Sequence, residues 1–124
     1  PGQLLEIDIT YQLNAHSVLE FTPIFMGHGS YKICYTFILD QNAQATVKGA
    51  YAFKDVQQCS ITTRQYHLGK DSISNLAING IAKDNAVTDY RGMIRIEKMA
   101  AGTQAHQENK TMLIGPFARA SSIP

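Results

Sequence analysis

The chain has 124 residues, 44% of them hydrophobic, and a formal net charge of +1 from 11 Lys+Arg against 10 Asp+Glu. That length and apolar content predict one domain, residues 1–124, with enough side chains for a core and outside the disordered range. The balanced charge, with no basic block, argues against nucleic acid, and the longest apolar runs, such as Tyr35 to Leu39, fall far short of the roughly 18 residues of a membrane span.

The opening PGQLLEIDIT has neither the basic start nor the apolar core of a signal peptide, so a soluble, cytoplasmic protein is expected. A start without Met and an end on SSIP in mid-pattern suggest a processed or excised chain rather than a complete gene product. LLEIDITYQL alternates Leu5, Ile7, Ile9, Tyr11 and Leu13 against Glu6, Asp8, Thr10 and Gln12, the period of two that marks a strand with one buried face, and HSVLEFTPIF partly repeats it. MGHGS around His28 is a Gly-rich turn without the strand, helix and spacing of a phosphate loop, and His16 is equally ordinary. In YKICYTFIL the residues Tyr31, Ile33, Tyr35, Phe37 and Leu39 share one face, leaving Cys34 with Lys32 and Thr36 on the other.

Cys34 and Cys59 belong to no CxxC, and a cytoplasmic chain gives little reason for a disulfide. Both read first as unreactive thiols and second as candidate metal ligands. His67 in YHLGKD reads as a structural or turn histidine, and second as a ligand. MIRIEKM alternates less cleanly than the earlier segments. In HQENKTMLIG, His106 and Glu108 sit two apart, so on a strand they face the same side and could share a proton or hold a metal. The preferred reading is a polar rim in which Gln107 and Asn109 stack as amide ladders between turns and satisfy buried polar groups. No stretch of a dozen residues keeps an i, i+3, i+4, i+7 apolar stripe with a cap at each end, so the chain is expected to be all-β.

Glycines suggest a larger rhythm. From Gly69 to Gly92 is 23 residues, from Gly80 to Gly102 is 22, and from Gly92 to Gly115 is 23. Each interval holds two short strand-like pieces, which predicts a two-strand rung of a solenoid whose core forms only by stacking. A parallel β-helix fits this best, with Leu76, Ile78, Ile94, Ile96, Leu113 and Ile114 among its inward residues. The alternative is a β-sandwich, disfavoured because Asn79-Gly80 is the only Asn-Gly hairpin signal.

The segment from Tyr66 to Pro124 resembles the core domain of the SufB/SufD family of iron–sulfur cluster assembly proteins. The resemblance rests on the order of its parts: YHLG, a run of small residues, YRGMIRI, a Gln/Glu/Asn-rich piece before MLIG, then SSIP. YRGMIRI is closer to the SufB branch and HQENKTMLIG to SufD, so the chain is SufD-like in the broad sense. Residues 1–65 carry no family motif. The resemblance implies a right-handed parallel β-helix that is incomplete relative to the family. It also implies a scaffold role in the SUF system without turnover chemistry, and as partners a SufC-type ATPase and a SufB/SufD-type paralogue. Where the SufB pattern places an acceptor cysteine, shortly after MLIG, this chain has Ala118. No iron–sulfur cluster is therefore expected on this chain alone, although one is allowed in complex with partners, and open strand edges make homo-oligomers the expectation for the isolated piece. Two other functions compete. One is a carbohydrate-active β-helix enzyme using Asp84, Asp89 and Arg91, and the other is a plain structural or interaction solenoid.

Overall fold

A computed structural model describes residues 4–26 and 29–123, so the MGHGS turn at Gly27 and His28 and the terminal Pro124 lie outside the described residues. Within them the chain forms ten strands and no helix: β1 Leu4–Leu13, β2 Val18–Phe21, β3 Ile24–Phe25, β4 Ser30–Leu39, β5 Gln44–Phe53, β6 Gln58–His67, β7 Ile73–Lys83, β8 Val87–Ile96, β9 Gln104–Ile114 and β10 Arg119–Ile123. They assemble as two sheets in the orders β1-β4-β6-β8-β10 (sheet A) and β2-β5-β7-β9 (sheet B), with β3 also paired to β5. The chain thus crosses from one sheet to the other at every turn. Every pairing is parallel, which excludes the antiparallel hairpins of a sandwich and makes the molecule a β-solenoid.

The rung is longer than the glycine spacing predicts. Leu4 pairs with Ser30, Tyr31 with Cys59, Gln58 with Val87, and Val87 with Arg119, so one turn takes 26, 28, 29 and 32 residues. The 22–23 residue rhythm fails because its glycines do different jobs. Gly69 lies in a turn, whereas Gly80 and Gly92 lie inside strands, where an added Cβ would strike the Tyr51 ring and the Gln107 side chain. Consistently, Gly92, which the spacing places at a boundary between pieces, lies in the middle of β8.

The true period is written in the corners. His16, Asn42, Asp71 and Gly102 occupy equivalent places where sheet A passes to sheet B, and all have positive φ. Gly29, Asp55, Asp84 and Gly115, also at positive φ, do the same on the return side. Both series advance by 26, 29 and 31 residues. Asn, Asp and Gly tolerate the left-handed conformation best, and here it lets each corner stack on the next. The amides of His16, Asn42 and Asp71 donate to the carbonyls of Gln41, Lys70 and Ala101, each at 2.9 Å. Pro23, which has no N–H to give, splits the first-rung strand into β2 and β3 at the edge of sheet B, where no ladder bond is lost beyond it.

Inside, the solenoid changes along its axis. The early rungs pack rings: Tyr11 stacks on Phe37 at 5.4 Å between centroids, Phe21 meets Tyr35 edge-on at 5.5 Å, and Tyr31 meets Phe53 at 5.4 Å. Ile33, Val47, Ile61, Leu76 and Ile78 fill the middle, and each fully buried aliphatic side chain stabilises by about 2 kcal/mol. Of the six residues expected inward, Leu76 and Ile78 are completely buried. Ile94, Ile96 and Leu113 hold inward register opposite Gln65, His67 and Ala82 but are exposed, because β10 covers only the first half of β8, from Val87 to Arg91, and among the described residues no strand pairs with β9 on its far side. Ile114 pairs with the exposed Lys83 and shares its outward-facing register.

Candidate functional site

The sequence-marked residues do not converge. Cys34 faces outward from β4, half-buried, with the Arg64 guanidinium donating to its Sγ at 3.5 Å. Cys59 faces inward from β6 and is buried, and burial, reinforced by the Asp89 carboxylate, pushes its thiol up to about 12. The two thiols sit on opposite faces of sheet A and are unpaired. Among the described residues, no three His, Cys, Asp or Glu side chains stand where they could hold a metal ion.

His106 and Glu108 share the outer face of β9, as the period of two requires. The hydrogen-bond and ion-pair partners of Glu108 are nonetheless other than His106. Asn79 Nδ2 donates to its carboxylate at 3.1 Å, Lys110 Nζ lies 3.2 Å from it, and together they hold its carboxyl below the usual range. Asn79 also accepts from the Lys110 amide at 2.8 Å, so this polar segment ties β7 to β9. The neighbouring amides face inward, as expected, but they do not stack on amides of the next turn. Gln107 pairs in register with Leu76 and accepts from Gln65 Nε2 at 3.5 Å, across the interior from the other sheet. Asn109 Nδ2 donates to the Ile78 carbonyl at 2.7 Å and lies 3.1 Å from the Tyr51 hydroxyl. Asp89 and Arg91 project from β8 while Asp84 sits in the corner before it, its carboxylate accepting from the Asp55 amide, so these three form no converging acid–base group.

What the fold does bring together is a polar seam buried between the sheets, centred on His67. The ring is fully buried, with Nδ1 2.7 Å from Ser72 Oγ and Nε2 2.8 Å from Ser74 Oγ. Ser74 in turn donates to Gln65 Oε1. A hydroxyl has one proton, so if Ser74 donates to Gln65 it must accept from Nε2–H, whereas Ser72 Oγ, 2.7 Å from Nδ1 and 3.1 Å from the Gly69 carbonyl, can give its proton to only one of them. A neutral ring takes it at Nδ1. Burial pushes the His67 pKa down, in agreement. Thr63 and Tyr90 extend the seam with a 2.7 Å hydrogen bond, and no buried side-chain N or O among the described residues lacks a partner. Of the seam, sequence marked His67 and, at its far side, Gln107. Ser72, Ser74 and Gln65 were missed, although Gln65 and His67 at alternate places on a strand of inward Cys59, Ile61 and Thr63 carry the signal.

A neutral, fully satisfied interior and outer faces built from rung-to-rung ties define a class: a parallel β-solenoid whose polar groups serve its own architecture. Comparison with known proteins places it further. Residues 8–124 match the SufBD core domain of SUF system FeS cluster assembly, and the chain belongs to that family. It is 32% identical over 68 residues to the iron-sulfur cluster assembly SufBD family protein slr0074 of Synechocystis, an alignment covering 55% of this chain and 14% of that one. It is 25% identical over 108 residues to the iron-sulfur cluster assembly protein SufD of Bacillus subtilis, covering 87% of this chain and 22% of that one. It is 31% identical over 68 residues to the SufBD family protein ABCI8, chloroplastic, of Arabidopsis thaliana, covering 55% and 12%. The chain therefore spans less than a quarter of the length of these curated relatives. Ala118, where the sequence analysis looked for a thiol, is buried among the core residues ahead of β10.

Proposed function

We propose that this domain is a scaffold component of iron–sulfur cluster assembly that acts through partners rather than by turnover chemistry of its own. The observation that carries this reading is the family match over residues 8–124 on a chain whose strands all pair in parallel. Iron and sulfide clusters, the cargo of such a system, are held chiefly by thiolates. Here one thiol is buried and held protonated while the other lies on the opposite sheet face, which supports a partner-supplied cysteine. The partners in this reading are a SufC-type ATPase and a SufB/SufD-type paralogue, and self-association through the uncovered ends takes over when they are missing. Among the described residues no helix is long and apolar enough to cross a membrane. Two unpaired thiols suit a reducing compartment such as the cytoplasm.

The test is co-expression with the ATPase and paralogue, followed by light scattering and anaerobic reconstitution with iron and sulfide. The expected result is a mixed complex that carries the cluster absorbance, and a chain that on its own forms homo-oligomers and stays colourless. Stoichiometric cluster uptake by the chain alone, lost in Cys34→Ser or Cys59→Ser, would overturn the partner-dependent reading.

A further inference from the structure

The outer face of sheet B changes character along its strands. One register near the strand starts carries Thr46, Asn75 and His106, and the next carries Lys48, Ala77 and Glu108. Toward the strand ends the pattern turns apolar. Met26, just beyond β3, is followed across the strands by Ala52, Ile81 and Met112, and the three large side chains are 65%, 40% and 63% exposed. The small Ala52 leaves a notch between Met26 and Ile81. Immediately beyond come Lys54, just past the end of β5, and Lys83, the last residue of β7; with Met26, Ala52, Phe53, Gln57 and Ile81 they line a groove of about 360 Å³, and Met112 continues the stripe outside it. An exposed apolar stripe rimmed by charge marks an interaction surface.

We propose that this groove docks an amphipathic α-helix of a partner protein whose apolar stripe is flanked by carboxylates. The spacing argues for a helix. Strands lie about 4.8 Å apart and a helical turn rises 5.4 Å, so a helix laid across the strands offers roughly one apolar side chain per strand from its i, i+3/i+4 and i+7 positions. The four strands of the stripe span about 14 Å, or about ten helical residues. Lys54 and Lys83, one strand apart, match carboxylates one helical turn apart. A flat anionic membrane would also meet Asp55 and Asp84, which are exposed beside each lysine, whereas a helix can set its carboxylates over the lysines alone. A second copy of this chain has no helix to offer among its described residues. The proposal is independent of the assembly role above, since it names only the chemistry of the surface.

The test uses two end-capped synthetic helices of about fifteen residues with the same leucine stripe, one flanked by Glu and one by Lys, added to the full chain. Fluorescence anisotropy should show the Glu helix binding at least about tenfold tighter than the Lys helix. Amide chemical-shift changes should centre on Ala52, Ile81 and Met112. Ile81→Glu should weaken the Glu helix by at least about tenfold, and Lys54→Glu with Lys83→Glu should reverse the preference, with circular dichroism confirming that both variants stay folded. If Ile81→Glu does not fold, the lysine pair decides. Equal binding of the two helices, binding unmoved by either variant, or shifts confined to another face would overturn the proposal. So would displacement of the helix by phosphatidylglycerol vesicles, which would assign the groove to a membrane. An oligomer that is lost in Ile81→Glu while neither helix binds would assign it to a second copy and equally overturn the proposal.

Discussion

His67 shows how one buried residue couples stability to pH. Its pKa is pushed down by burial in the fold, while in the unfolded chain it returns to about 6.5, so below that value the unfolded state binds more protons. Stability should therefore be full above about pH 6.5 and fall as pH drops through that value toward the folded pKa. Urea midpoints measured from pH 8 to pH 5 should decline, and His67→Gln should flatten the decline. His67→Ala, which strips partners from Ser72 and Ser74 and opens a cavity, should cost about 3 kcal/mol at pH 8. The two cysteines divide on the same principle. A maleimide at neutral pH should label Cys34 in the folded chain and reach Cys59 only in denaturant, because the buried thiol is held protonated at a pKa of about 12. Labelling of folded Cys34→Ser at the same rate as the parent would show that Cys59 is the open one. The outward place of Cys34 was legible from the alternation of YKICYTFIL, and so was the shared face of His106 and Glu108. The seam was not, because two amides 42 positions apart meet only after the sheets have stacked.

At the scale of the strand, Gly80 and Gly92 are close-approach positions rather than turn markers. A Cβ at Gly80 meets both the ring and the backbone oxygen of Tyr51, a strand that cannot yield without disturbing its ladder. A Cβ at Gly92 meets the side chain of Gln107, which can swing at the expense of its bond to Gln65. Gly80→Ala is expected to cost about 3 kcal/mol and Gly92→Ala about 1 kcal/mol, measured by thermal or urea unfolding. Equal costs would mean that the Tyr51 strand is softer than its register implies. The corner residues explain why the repeat length was misread. Asn, Asp and Gly share one conformational task, so the 26, 29 and 31 residue advance is visible only when the three are counted together, and glycines alone mix corner sites with strand sites.

For the molecule as a whole, each rung is stabilised by its neighbours, so the ends should open before the middle. Among the described residues no strand pairs with the end of β8 or with β9 on the far side, and the inward-register Ile94, Ile96 and Leu113 are exposed there. Amide hydrogen exchange should be slowest in β4 to β7 and fastest in β10 and the second half of β8. Binding of a rung-like partner at the uncovered end should slow the second half of β8 selectively. Uniform protection across all ten strands would contradict the one-dimensional coupling.

The sequence by itself determined that this chain is built of strands and which family it resembles, and that resemblance rather than the glycine rhythm pointed rightly to a parallel solenoid. Alternation and turn chemistry are local properties, readable within one strand or one corner. Tertiary structure alone decided the rung length, the buried seam through His67, and which inward residues are covered. Those depend on what lies one rung away, about thirty residues off in sequence, and on whether a rung lies there at all.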